Sequence, residues 1–102
     1  MRRRLISVAC LMLAGCASAG RDFDETKVPN IKVGTTTRVE IEQWFGLPVN
    51  RTSLSGQPNG AVMRYTYTYA RATWGGASSS GKALIVDFDQ KDVVVDQAYS
   101  SQ

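Results

Sequence analysis

From Met63 to Ala70 the chain alternates without a break: Met63, Tyr65, Tyr67 and Tyr69 take one set of positions, and Arg64, Thr66, Thr68 and Ala70 take the other. Successive side chains of an extended chain point to opposite faces, so a period of two in strand-favouring residues predicts a strand, here over residues 61–71. Its tyrosine face is expected to pack under a helix with the phenolic hydroxyls reaching solvent at the margins, and its Arg and Thr face to stay wet. The same period returns in Leu84, Val86 and Phe88, which predicts a second strand from Lys82 to Phe88. Asp89-Gln90-Lys91-Asp92 reads as a turn into a third strand from Val93 to Tyr99. Between the first two strands, Trp74 and the Gly- and Ser-rich run to Gly81 predict a long, flexible hairpin loop.

Upstream the period is helical. Thr37 and Glu40 have the spacing of a capping box, Ile41 and Phe45 lie four apart on one face, and Val39 and Trp44 widen the apolar stripe. Gly46 supplies a carboxy-terminal cap and Pro48 prevents continuation, giving a helix of about ten residues and about 15 Å. Residues 50–60 are turn-rich, with a brief strand expected at Arg51 to Leu54. The expected fold is therefore α+β: short N-terminal helical segments packed on a three-stranded antiparallel meander, as a two-layer sandwich. So small a core makes every large apolar residue a core candidate first.

The amino terminus carries a different signal. Arg2, Arg3 and Arg4 precede an apolar run from Leu5 to Ala14, the layout of a secretory signal. The run is about half the length that crosses a bilayer. It ends in Leu13-Ala14-Gly15-Cys16, which resembles the bacterial lipobox. That resemblance implies lipid attachment at the Cys16 thiol, signal-peptidase recognition of Leu13, Ala14 and Gly15, and cleavage before Cys16. Two or more acyl chains would make the anchoring effectively stable, where one gives only marginal binding. The expected organisation is a lipoprotein signal over 1–15, a lipidated Cys and flexible tether over 16–30, and a domain over 31–100. Within the tether, Phe23, Thr26 and Val28 suit one helical turn before Pro29. Ala17, rather than Asp, follows the cysteine, which by the sorting rule for such proteins implies the outer membrane, with the domain facing the periplasm.

Charge and composition exclude several classes. Of 102 residues, twelve are Lys or Arg and nine are Asp or Glu, but the three arginines of the signal supply the whole excess. A mature chain of nine basic and nine acidic residues has no electrostatic footprint for nucleic acid. Histidine is absent, which removes the commonest general base and metal ligand and any Ser-His or Cys-His pairing. Cys10 and Cys16 alone cannot fill a structural zinc shell. No catalytic, metal or cofactor constellation is expected. Asp87, Asp89 and Asp92 lack the calcium-loop pattern and read as turn and edge-strand residues. Ser78, Ser79, Ser80 and Lys82 are close in sequence, but a mobile loop is poor scaffolding for a nucleophile.

Gly34-x-Thr36-Thr37-x-x-x-Ile41-x-x-x-Phe45-Gly46-x-Pro48, followed by the Tyr-rich strand and by Leu84-x-Val86-x-Phe88, resembles the SmpA/OmlA (BamE-like) family of small envelope lipoproteins over about Ile31 to Tyr99. The resemblance implies a non-catalytic binding or assembly role in outer-membrane protein assembly or envelope integrity. Its partners would be the membrane, through the lipid on Cys16, and the outer-membrane assembly machinery or other envelope proteins. A lipid-anchored module that inhibits an envelope enzyme or captures a small ligand is the alternative. Four residues are candidate partner contacts. Trp74 opens a loop where nothing forces burial. Tyr65 and Tyr67 form an aromatic stripe of the kind found at interface hot spots, although their spacing favours core packing. Arg64 is a candidate to meet lipid phosphate or an acidic partner, although isolated arginines on a strand mostly form solvated faces.

Overall fold

The structure is a computed structural model and describes residues 16–73 and 78–102. Two long antiparallel strands form its spine, β3 (Met63–Thr73) and β4 (Ser78–Phe88), paired from Met63 opposite Phe88 to Thr73 opposite Ser78. On the far side of β4 lies β5 (Val94–Ser101), with a bulge between Asp87 and Phe88. The free edge of β3 is shared by two short strands end to end: β1 (Cys16–Gly20) along Tyr69–Thr73, and β2 (Asn50–Ser53) along Met63–Thr66.

The protein is thus α+β, with the expected meander at its centre, but the sheet is four strands wide rather than three. The fourth position is filled by β1 and β2 on the free edge of β3, and the central hairpin is also longer than expected. Ala72, Thr73 and Ser78 to Gly81 favour a loop by propensity, yet they extend the hairpin because backbone N–H and C=O groups pair whatever side chains they carry. The expected loop over 74–81 is therefore strand from Ser78 onward.

Among the described residues one α-helix, α1 (Arg38–Phe45), covers one sheet face. The capping box is formed: the Thr37 side chain accepts from the Glu40 amide, and the Glu40 carboxylate accepts from the Thr37 amide at 3.0 Å. At its other end Gly46, with φ of 80°, donates to the Glu42 carbonyl. Ile41 and Phe45 are buried against Leu84, Val86, Phe88 and Val94. Val39, expected to widen that stripe, points outward and is 57% exposed, because an eight-residue helix on this sheet buries a face only two side chains wide.

The segment 16–30 is not a free tether. After β1, Phe23 enters the core and meets Phe45 and Tyr67 edge-on at ring distances of 6.1 and 6.0 Å. A 3₁₀ helix (Glu25–Asn30) follows, its first turn capped by the Asp24 carboxylate accepting from the Thr26 amide, and it includes Pro29. The packed domain therefore begins ahead of Ile31. The burial of Phe23 and the backbone pairing of β1 with β3 together offset the cost of ordering this segment.

Candidate functional site

Along β4 the period-two face that carries Leu84, Val86 and Phe88 also carries Lys82, so this lysine enters the aromatic layer at its edge. Its ammonium donates to the Phe23 carbonyl at 2.5 Å and to Glu25 Oε1 at 2.6 Å, and lies 2.7 Å from Asp22 Oδ1. It also sits 4.6 Å from the centre of the Phe23 ring. Burial pulls its pKa down, but hydrogen bonds to Asp22 and Glu25 outweigh burial and leave it raised. The hydrogen bond from Lys82 in turn holds both carboxylates below their ordinary values. A lysine acts as base or nucleophile when its pKa is depressed, and here the shift has the opposite sign. Lys82 is a clamp that holds residues 22–25 to the sheet. Its signal in the sequence was its register with Leu84, Val86 and Phe88.

Next to this clamp the backbones of β1 and β3 approach very closely. Gly20 has φ of +82°, and a Cβ there would stand 2.1 Å from the Thr68 carbonyl oxygen. That carbonyl accepts from the Arg21 amide at 3.0 Å. The docking of β1 depends on a residue without a side chain.

Tyr65 and Tyr67 do not present a contact surface: they are 3% and 2% exposed, and their rings form the floor under α1. Their hydroxyls do not reach solvent either. Tyr65 donates to Glu42 Oε2 at 2.6 Å and Tyr67 donates to the Gly46 carbonyl at 2.8 Å, so the stripe fastens the helix it supports. Burial pushes the Tyr67 phenol above its ordinary pKa, which keeps it a donor.

Arg64 lies on the opposite sheet face, where its guanidinium grips Asp87 through two bonds of 2.8 and 3.0 Å. The Asp87 side chain is 6% exposed and that of Arg64 39%. The Arg64 fork is committed within the fold rather than free for a partner. Around the pair, register places Thr66, Ile85 and Ala98 side by side on a face that no helix covers among the described residues. Leu13, Ala14, Gly15 and Trp74 lie outside the described residues. Cys16 is the first residue of β1 and is in register with Thr73.

At the far end of the sheet, Arg38 joins Glu42 and Asp92 at 3.3 Å each and ties the start of α1 to the β4–β5 turn. Asp89 accepts from the amides of Lys91 and Val93 at 2.8 and 3.1 Å and shapes that turn. The aspartates at 87, 89 and 92 thus have three separate structural partners. Among the described residues, no three metal-ligating side chains converge. Comparison with protein-family models, with curated proteins and with solved structures finds no match for this chain.

Proposed function

We propose that this protein is an outer-membrane lipoprotein, anchored through Cys16, whose SmpA/OmlA-like domain faces the periplasm and acts by binding rather than by catalysis, in outer-membrane protein assembly or envelope integrity. What supports this reading most is Leu13-Ala14-Gly15-Cys16 itself, which follows three arginines and an apolar run in the layout of a lipoprotein signal.

The motif that carries the family resemblance has a coherent physical role. Gly34, with φ of +89°, donates to the Val94 carbonyl, and the Thr36 carbonyl accepts from the Val94 amide, both at 2.8 Å. Buried Thr36 takes the Lys32 amide on its hydroxyl, Thr37 caps α1, Ile41 and Phe45 fill the core, and Pro48 is buried beyond the Gly46 cap. These positions together fasten the helix to β5. A motif whose members all serve the scaffold suits a family that keeps a shape for recognition while its surface varies.

The anchor is tested by acyl labelling: Cys16→Ser should abolish the label and leave the precursor unprocessed, and normal labelling would remove the assignment. The role is tested by cross-linking and purification of the lipoprotein from cells. Recovery of barrel-assembly components supports it, whereas an envelope enzyme or a small ligand would replace it with the inhibitor or capture reading.

A further inference from the structure

We propose that the Cys16 end of the sheet rests on the phospholipid headgroup layer, so that the domain stands on the membrane in one orientation, with the β4–β5 turn and the start of α1 farthest from it. This rests on lipid attachment at Cys16 and adds what that attachment does not by itself imply. A flexible tether of about fifteen residues could extend to about 50 Å and would let the domain turn freely.

The chain after Cys16 has no such slack. Cys16 to Gly20 pair with Thr73 to Tyr69, and Arg21 continues the contact through its amide to the Thr68 carbonyl. Phe23 is buried in the core, and Lys82 holds Asp22, Glu25 and the Phe23 carbonyl. Acyl chains that enter the bilayer from Cys16 must therefore carry the Thr73 end of β3 down to the surface with them.

The direction follows from the strand. At about 3.3 Å per residue, β3 runs about 33 Å from Thr73 to Met63, so the loop at Asn59 and the turn at Gln90 stand about that far from the headgroups. The chemistry of the near end suits headgroups rather than acyl chains. Arg71 and Ser80 are exposed and in register. Lys82 is held among Asp22 and Glu25, whereas Arg71, although near enough to Asp22 to favour its charged form, is exposed and is the cation of this end positioned to meet lipid phosphate.

The experiment uses the lipidated protein purified from cells, in vesicles of phosphatidylethanolamine and phosphatidylglycerol that contain a phospholipid with a nitroxide headgroup. Cys10 leaves with the signal and Cys16 is blocked by its lipid, so single cysteines can be labelled with a fluorophore at four exposed positions: Arg71→Cys, Ser80→Cys, Asn59→Cys and Gln90→Cys. Loss of fluorescence at 71 and 80, with 59 and 90 matching nitroxide-free vesicles, is the expected result. Equal quenching at all four, or none at 71 and 80, in protein whose mass includes the acyl groups would overturn the orientation and leave the anchor standing. A mass without acyl groups would remove both.

Discussion

The hydroxyl of Tyr67 donates to the carbonyl of Gly46 at 2.8 Å, so a residue in the middle of β3 closes the last turn of the helix above it. The bond joins the two layers at the point where Phe45, Phe23 and Tyr67 meet ring to ring. It also explains why an alternating tyrosine stripe is used where phenylalanine would fill the same space.

Tyr67→Phe removes that one bond and leaves the packing in place. Because Gly46 is exposed, water can replace the lost donor, and the expected cost is about 1 kcal/mol by urea unfolding. Phe45→Ala, which empties part of the same cluster, should cost about 3–5 kcal/mol. Equal losses for the two variants would mean that the hydroxyl, not the aromatic packing, holds the layers together.

Gly20→Ala should undock β1. The added methyl would meet the Thr68 carbonyl, and the positive φ adds strain, together on the order of 1–3 kcal/mol. Hydrogen exchange is the discriminating measurement: the Arg21 amide should lose protection, while the amides paired between β4 and β5 keep theirs.

The Lys82 clamp predicts a pH dependence with a definite sign. Asp22 and Glu25 are held below their ordinary values of 3.8 and 4.5, so their contribution is present above those values and is lost as pH falls through the lowered folded ones. Lys82 is raised above 10.5, so its contribution is complete below that value and is lost as pH rises through the folded one. Lys82→Met should lower the melting temperature in the neutral range and flatten both limbs of its pH profile. An unchanged acid limb would show that the carboxylates draw nothing from this lysine.

Arg64→Met leaves the buried Asp87 carboxylate without its partner. The expected result is a lower urea midpoint, with a smaller loss than for a fully enclosed pair because Arg64 keeps contact with water. A double-mutant cycle with Asp87→Asn should show a favourable coupling between the two residues, and a coupling near zero would make the pair incidental.

How much of this was legible in the chain differs from element to element. The capping box of Thr37 and Glu40 and the Gly46 end of α1 were readable because their partners lie within four residues of one another. The core face of β3 and β4 was readable because burial follows a period of two. The docking of β1 was not, since Cys16 pairs with Thr73 and nothing in Cys16-Ala17-Ser18-Ala19-Gly20 favours a strand. The burial of Phe23 was missed for the same reason, because a lone aromatic in a polar stretch carries no period. Lys82 stood in plain alternation with Leu84, yet a charged residue at an inward position discloses its partners only when the chain brings Asp22 and Glu25 to it.

Sequence by itself determined the α+β class of this protein: local caps and periodicities set the helix and the central strands, and the absence of histidine and the balance of nine basic and nine acidic residues after Arg4 limited which side-chain chemistries are present. Tertiary structure decided how far the packed segment extends ahead of Ile31, which polar groups are spent on the scaffold, and how Cys16 is paired with the sheet. These depend on contacts between residues roughly 20 to 60 positions apart, and such contacts form only where the summed burial and pairing of the whole sheet exceed the entropy of closing the chain upon itself.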